Sequence, residues 1–133
     1  MLQRPYNYLW GIVPFVMAAA LYLNIDSAIE LPLSESYYVV STFHMGFVFS
    51  MYLVFAGLLY WIFKKVELSN WMTIVHLVLS MALPIVVLFL VEPITKDEIS
   101  AGLANWLVIF TFVWVLAQAL FLINLVRGAI LRP

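Results

Sequence analysis

The chain has 133 residues, of which 66% are hydrophobic and 10% are charged, and its formal net charge is −1. A soluble domain is roughly 45–50% apolar, so this composition, with a mean hydropathy of +1.09, predicts a protein solvated by lipid. Six Lys and Arg residues scattered along the chain are too few for the cationic surface that nucleic acid requires. The absence of Cys excludes disulfides, thiolate metal sites and Cys nucleophiles.

Four apolar segments are long enough to be membrane spans. Crossing a hydrocarbon core takes about 20 residues of helix, because lipid offers no partner for an unpaired backbone group. In chain order the segments that meet this requirement, none with a charged residue in its interior, are about 6–24, 37–63, 71–91 and 103–126. The first lacks a small-residue cleavage site, so we expect a retained span and not a signal peptide. The sequence therefore predicts an all-α fold, a single domain over 1–133 built as an up-down bundle of four transmembrane helices.

Two of the predicted spans carry residues suited to contacts between helices. In the second span Gly46, Ser50 and Gly57 share one face, and such small residues allow a neighbouring helix to approach closely. The fourth span carries the amides of Gln118 and Asn124, which in lipid usually hydrogen-bond to another helix. We therefore expect both sets to face other helices, within the chain or in a partner subunit.

Charge in the connections predicts the orientation of the spans. If the helices alternate in direction, five cations fall on one side, namely Arg4, Lys64, Lys65, Arg127 and Arg132. The positive-inside rule makes that side cytoplasmic. Only Lys96 opposes this assignment, and acidic residues surround it. We therefore predict a multi-pass protein of the bacterial inner membrane with both termini in the cytoplasm, and we interpret the aromatic residues near the span ends as interfacial anchors.

The ionisable side chains inside the predicted spans are those of His44 and His76, and such groups are functional candidates by default. At 1.5 Å per residue, His44 lies roughly 30 Å and His76 roughly 9 Å from the surface that carries the Lys64 turn. Two axial nitrogens of one haem iron must lie about 4 Å apart, so one chain cannot ligate an iron through both. Either imidazole alone could bind haem with a ligand from a partner chain, or could simply hydrogen-bond to a neighbour or to interfacial water.

The segment around His44 resembles a known family. Residues Ser34 to His44 read Ser-Glu-Ser-Tyr-Tyr-Val-Val-Ser-Thr-Phe-His, and they are similar to the start of the tenth helix of subunit I of the haem-copper oxidases. The pattern continues through the second predicted span, and residues 74–76 resemble the opening of the family's next helix. The resemblance covers about residues 33–126 and implies the tenth to twelfth helices of that subunit. The first span has no counterpart in it.

The same resemblance implies that most of the family's metal ligands are missing. The magnesium-binding His-Asp pair corresponds to Ser34 and Glu35, which leaves Glu35 as a remnant of a magnesium site. The ligand of the high-spin haem corresponds to Thr42, whereas the ligand of the low-spin haem is kept as His44. The family's copper ligands and its second low-spin ligand lie on earlier helices without a counterpart here. We therefore expect no oxygen-reducing site and assign no catalytic residue.

Three functions compete on this basis. The favoured one is a non-catalytic integral membrane subunit or assembly partner of a respiratory complex related to the haem-copper oxidases, without a bound cofactor and packed against other subunits or a second copy. The second is a small membrane haem protein for electron transfer, with His44 as one axial ligand and a partner chain supplying the other. The third, a transporter or quinone-binding protein, requires a polar cavity or an inverted repeat, which the sequence does not indicate.

Overall fold

A computed structural model describes residues 4–22, 28–33, 36–95 and 101–130. It contains four helices and, between the first two of them, a pair of strands. The elements in chain order are α1 (Pro5–Tyr22), β1 (Ala28–Leu33), β2 (Ser36–Ser41), α2 (Thr42–Ile62), α3 (Asn70–Thr95) and α4 (Ala101–Ile130). The predicted helical character of the chain is confirmed.

Three of the helices are long and apolar enough to cross a membrane, over Thr42–Ile62, Asn70–Phe89 and Val108–Ile130. Large apolar side chains are exposed along all three. Because soluble proteins rarely expose extended apolar surface, these helices indicate a membrane protein. The 18-residue helix α1 falls outside this set.

The second helix begins later than the sequence analysis predicted. The expected start was Tyr37, but that residue belongs to strand β2, which pairs antiparallel with β1 and places Ala28 opposite Ser41. The run Tyr-Tyr-Val-Val within β2 is aromatic and β-branched, and such residues favour an extended backbone. Ser41 then caps α2, since its side chain accepts a hydrogen bond from the backbone N–H of His44. The predicted helix start is therefore wrong, and the first connection contains an antiparallel pair of strands.

Two other helices extend beyond their predicted ends. Helix α3 continues to Thr95 instead of ending at Val91, so the expected connection from Glu92 begins too early. Helix α4 covers Ala101–Ile130 instead of 103–126. Bilayer thickness limits the apolar stretch of a span, but a helix continues past it until a capping residue stops it. No Gly or Asn directly follows Val91 to do so.

Helices α1 and α2 meet through small residues. A Cβ added to Gly46 would overlap the Ala20 methyl, and one added to Gly57 would overlap the Trp10 indole. The Trp10 indole N–H also donates a hydrogen bond of 3.3 Å to the carbonyl oxygen of Val54. The predicted role of the two glycines as a helix contact surface is therefore confirmed, and their partner is α1.

Helix α3 is the centre of the fold, because it contacts each of the other three helices, and α4 packs chiefly against it. One buried cluster draws on all four helices and includes Leu9, Val16, Leu53, Tyr60, Leu77, Leu88, Phe121 and Leu125. A smaller cluster lies further along α3, where Leu83 and Val87 pack against side chains of α2 and α4, namely Met45, Phe49, Phe110 and Trp114.

Candidate functional site: a buried polar seam along the third helix

Polar residues recur on one face of α3. Ser69 immediately precedes the helix, and Thr73, His76 and Ser80 follow it at intervals of four, three and four residues, which places them along one side. Thr73 is 4% exposed, whereas His76 and Ser80 are fully buried. Side chains from α2 and α4 converge on this face. We call the whole set the polar seam, comprising Tyr52, Tyr60, Ser69, Thr73, His76, Ser80, Gln118 and Asn124.

The imidazole of His76 lies at the centre of the polar seam. Its Nδ1 is 3.0 Å from the hydroxyl oxygen of Tyr60. Its Nε2 is 3.1 Å from Oε1 of Gln118 and 3.2 Å from the hydroxyl oxygen of Tyr52. Both ring nitrogens therefore have partners on neighbouring helices, which is what a buried imidazole in lipid requires.

The Gln118 side chain fixes which nitrogen of His76 carries the proton. Its amide nitrogen donates to the carbonyl oxygen of Trp114 at 3.2 Å, so its Oε1 faces His76 and Tyr52. The opposite amide orientation would place two oxygens against each other at Trp114. An amide oxygen only accepts, so Nε2 of His76 carries the hydrogen and Nδ1 accepts the hydroxyl hydrogen of Tyr60.

Tyr52 connects two further members of the polar seam. Its hydroxyl donates to Oε1 of Gln118 at 2.6 Å and lies 2.9 Å from Oγ of Ser80. Since Tyr52 donates to Gln118, the Ser80 hydroxyl donates to Tyr52. The hydroxyl of Tyr52 and the Nε2–H of His76 therefore both donate to Oε1 of Gln118. The donor and acceptor of each of these hydrogen bonds are thereby assigned.

Aromatic rings enclose the imidazole. Phe121 stacks on His76, with ring centroids 4.2 Å apart and an interplanar angle of 11°. Phe121 also lies 4.8 Å from the Tyr60 ring, and Trp114 makes an edge contact with Tyr52 at 5.0 Å. Within the described residues, the indole nitrogen of Trp114 and Oγ of Ser50 are buried polar atoms without a hydrogen-bond partner.

The end of the polar seam nearest the Lys64 turn is held by Asn124, which is 1% exposed. Its Oδ1 accepts a hydrogen bond of 2.8 Å from the backbone N–H of Ser69, and its Nδ2 donates to Oγ1 of Thr73 at 3.0 Å. Thr73 in turn donates to the carbonyl oxygen of Ser69 at 3.0 Å and interacts with the hydroxyl of Tyr60. The Asn124 side-chain amide of α4 therefore hydrogen-bonds to the backbone at the start of α3, where the first N–H groups have no partner within the helix, and connects it to the rest of the seam.

His44 occupies a different environment from His76. It is exposed in the first turn of α2, where its Nδ1 lies 2.5 Å from Oγ of Ser41. A cleft of about 230 Å³ opens beside it, lined by His44, Met45, Val48 and Phe49. Nε2 is the ring nitrogen that Ser41 does not contact.

The structure separates the two imidazoles along α2. His76 contacts Tyr52 and Tyr60, which lie about two and about four helical turns beyond His44, or roughly 12 and 24 Å along the axis. The two side chains therefore cannot contact one common ligand atom. Glu35, the remnant magnesium position, and its neighbour Ser34 lie outside the described residues.

Reasoning from the sequence missed that these polar side chains form one cluster. Tyr60, near the end of the second predicted span, is one of the aromatic residues that the sequence indicates as interfacial anchors, and His76, Gln118 and Asn124 are separate features in it. The spacing of Ser69, Thr73, His76 and Ser80 is a helical periodicity that could have indicated a shared polar face. The involvement of Tyr52 and Tyr60 depends on how α2 is rotated against α3, which no local pattern specifies.

Comparisons with family models, with curated proteins and with solved structures found no match to this chain. In the part of the chain that the structure describes, no three His, Asp or Glu residues group as a metal site would require. The function is therefore argued from the geometry of the polar seam and of His44.

Proposed function

We propose that this chain is a non-catalytic integral membrane subunit of a respiratory complex related to the haem-copper oxidases, and that it holds its neighbours through helix packing. The observation that carries the proposal is the closed set of hydrogen bonds around His76. Tyr60 occupies one nitrogen of the imidazole, and Gln118 with Tyr52 occupies the other. An imidazole used in this way joins helices and does not present a nitrogen to a substrate.

The energetics of lipid support a packing role for the polar seam. An unpartnered polar group in hydrocarbon costs several kcal/mol, so the buried groups strongly favour the one arrangement in which they meet. Hydrogen bonds between membrane helices contribute about 0.6 kcal/mol on average and up to about 1.7 kcal/mol. The seam includes several such bonds across three helices, which fixes their register and makes a rigid scaffold.

The proposal includes four spans that alternate in direction, in the bacterial inner membrane, with both termini in the cytoplasm. Two contacts support the alternation of the first pair, because Trp10 near the start of α1 meets Gly57 late in α2, whereas Ala20 meets Gly46 near the start of α2. Arg4 then lies at the same end of the molecule as the Lys64 turn. That distribution of cations supports the orientation.

The relation to the oxidases rests on the resemblance around His44, which is a sequence argument. Fold and function are separable, so the partner must be identified directly. The test is to purify the tagged chain from its native membrane in mild detergent, with an unrelated tagged membrane protein as the control. We expect subunits of a haem-copper-type oxidase to co-purify in fixed stoichiometry. Purification of the chain without any such subunit would contradict the proposal.

A second candidate function, haem binding, is favoured by the geometry at His44. A haem-ligating His usually has its other ring nitrogen held by a hydrogen bond, and Ser41 holds Nδ1 of His44 in this way. The neighbouring cleft is apolar, lined by Met45, Val48 and Phe49, so the residues fit a haem edge beside an imidazole. Ligation through Nε2 would require Ser41 to accept the hydrogen of Nδ1, and a partner chain to supply the second axial ligand.

An absorption spectrum separates the two candidates. If His44 binds haem, the purified complex shows a haem band whose intensity falls when His44→Ala is introduced and is unchanged by the control Met45→Leu. If the chain is a scaffold only, His44→Ala leaves both the spectrum and the co-purifying subunits unchanged.

A further inference from the structure

Cations gather at the end of the molecule where α2 and α4 finish. Lys64 and Lys65 follow α2 directly, and Arg127 lies in the last turn of α4. These segments touch, because a Cβ added to Gly128 would lie 2.6 Å from a methyl of Val66 and 3.1 Å from the carbonyl oxygen of Glu67. Arg127, the neighbour of Gly128, is therefore next to the turn that carries the two lysines.

These cations face outward, and no carboxylate in the described part of the chain neutralises them. Lys64, Lys65 and Arg127 are exposed, and within the described residues none of them forms an ion pair. Glu67, also exposed, is the one carboxylate in the turn. The ammonium of Lys64 lies 4.8 Å from the centre of the Trp61 ring, which holds the charge beside a side chain typical of the level of lipid headgroups.

Exposed apolar side chains lie on α2 and on α4, between this charged end and the middle of the bilayer. On α2, Leu58 and Ile62 are 41% and 56% exposed, and on α4, Ile123 and Val126 are 54% and 56% exposed. All four residues lie within the last three turns of their helices. A molecule with a negative headgroup and long apolar tails would match both the cations and these apolar side chains.

We propose that the end of the molecule formed by Lys64, Lys65 and Arg127 is a binding site for an anionic phospholipid. The headgroup phosphate would contact the three cations, and the acyl chains would lie along the exposed apolar residues of α2 and α4. This site is independent of the proposed oxidase partner, since it uses neither His44 nor the polar seam. It also differs from the positive-inside rule, which orients a protein but does not require it to retain a lipid.

The expected size of the effect follows from charge. Each Lys or Arg close to an anionic membrane surface strengthens binding by about fivefold, so neutralising three of them lowers the affinity for an anionic lipid by about a hundredfold. Zwitterionic lipids carry no net charge, and their binding is not expected to change. The interaction should weaken as salt is raised, because these groups are exposed.

The test is native mass spectrometry of the full-length chain, released from detergent containing equal amounts of phosphatidylglycerol and phosphatidylcholine. We expect wild type to retain phosphatidylglycerol selectively and the triple variant Lys64→Gln, Lys65→Gln, Arg127→Gln to lose that selectivity. The matched control Lys64→Arg, Lys65→Arg, Arg127→Lys keeps the charges and should keep the lipid. Thermal unfolding of all three proteins establishes that each is folded.

Three outcomes would overturn the proposal. Wild type that retains both lipids equally has no preference for an anionic headgroup. A Gln variant that is folded and still selective shows that these cations are not the site. Displacement of the lipid by glycerol phosphate at comparable concentration would show a site for a soluble anion, which does not use the apolar surface.

Discussion

At the scale of single residues, the side chain of Gln118 connects three helices. Its Oε1 accepts hydrogen bonds from α2 and from α3, while its amide nitrogen is held by Trp114 of its own helix. This arrangement sets the direction of the hydrogen bonds at His76 and Tyr52. The chemistry of a neutral amide, and not any charge, therefore organises the centre of the polar seam.

The protonation of His76 can be tested directly. With ¹⁵N-labelled histidine, the chain gives two sets of imidazole nitrogen signals, one for each histidine. The variant His44→Ala identifies which set belongs to His76. We expect His76 to be a neutral ring with its hydrogen on Nε2, because Gln118 can only accept there. A hydrogen on Nδ1 would show that the Gln118 amide has the opposite orientation and would contradict the assignment.

Removal of single hydroxyl groups tests the energetic role of the polar seam. Tyr60→Phe takes the donor from Nδ1 of His76, and Tyr52→Phe takes the donor from Gln118, so each should lower the free energy of unfolding by about 1 kcal/mol. Tyr8, which is 54% exposed, provides the matched control Tyr8→Phe, with little expected change. Unfolding in mixed detergent micelles measures all three. If Tyr60→Phe and Tyr52→Phe are both as stable as Tyr8→Phe, these hydroxyl groups of the seam contribute no stability.

At the scale of helices and strands, the contact between α1 and α2 depends on the absence of side chains. Gly46 lies against Ala20, and Gly57 lies beneath the Trp10 indole. A methyl group at Gly46 would have to push the two helices apart, because the Cβ of Ala20 cannot move without its backbone. One at Gly57 would instead have to displace the Trp10 indole. In contrast, a Cβ added to Gly11, on the same helix as Trp10, would meet nothing within 4 Å.

This difference predicts opposite outcomes for three matched substitutions. Gly46→Ala and Gly57→Ala should each destabilise the fold by about 1–3 kcal/mol, the usual cost of overpacking. Gly11→Ala should be neutral or slightly stabilising, because Ala has the higher helix propensity. Unfolding experiments supply the free energies. A cysteine pair engineered across the contact, in a chain that has no Cys, reports whether α1 has moved. An undisturbed contact in Gly46→Ala would refute the prediction.

The helices and strands also show what the sequence could and could not predict. The apolar runs predict the helices, and the glycines of α2 predict one contact surface, because both signals depend on local periodicity. The predicted start of α2 is wrong because hydropathy does not distinguish the two structures. An apolar run that begins at Tyr37 meets a hydropathy criterion whether it forms a strand or a helix. The hydrogen bonds of Tyr52 and Tyr60 could not be predicted, because they depend on the rotation of α2 in the assembled fold.

At the scale of the whole molecule, the number and direction of the spans determine where the cationic end lies. In the part of the chain that the structure describes, three helices satisfy the length and hydropathy expected of a span, whereas the 18-residue α1 does not. The contacts of Trp10 with Gly57 and of Ala20 with Gly46 place Arg4 on the same side as Lys65, with α1 crossing the bilayer beside α2. Only a chain in which α1 leaves α2 and stays outside the bilayer would have Arg4 on the opposite side.

Labelling of single cysteines decides between these topologies. We expect Arg4→Cys and Lys65→Cys to react with a membrane-impermeant maleimide only after the cells are permeabilised, and Asp97→Cys to react in intact cells. Reaction of Arg4→Cys in intact cells, with Lys65→Cys still protected, would leave three spans and contradict the proposed position of the amino terminus. The native chain, which lacks Cys, gives the unlabelled background.

The polar seam has a mechanical consequence for the whole molecule. Its hydrogen bonds lie between Ser69 and Ser80, in the part of α3 close to the Lys64 turn, whereas beyond it Leu83 and Val87 pack against apolar side chains of α2 and α4. Directional bonds resist sliding and rotation, while apolar side chains can exchange neighbours at little cost. We therefore expect the helices to separate more easily around Leu83 and Val87 than around the polar seam, so a neighbour that inserts between the helices would enter at Leu83 and Val87.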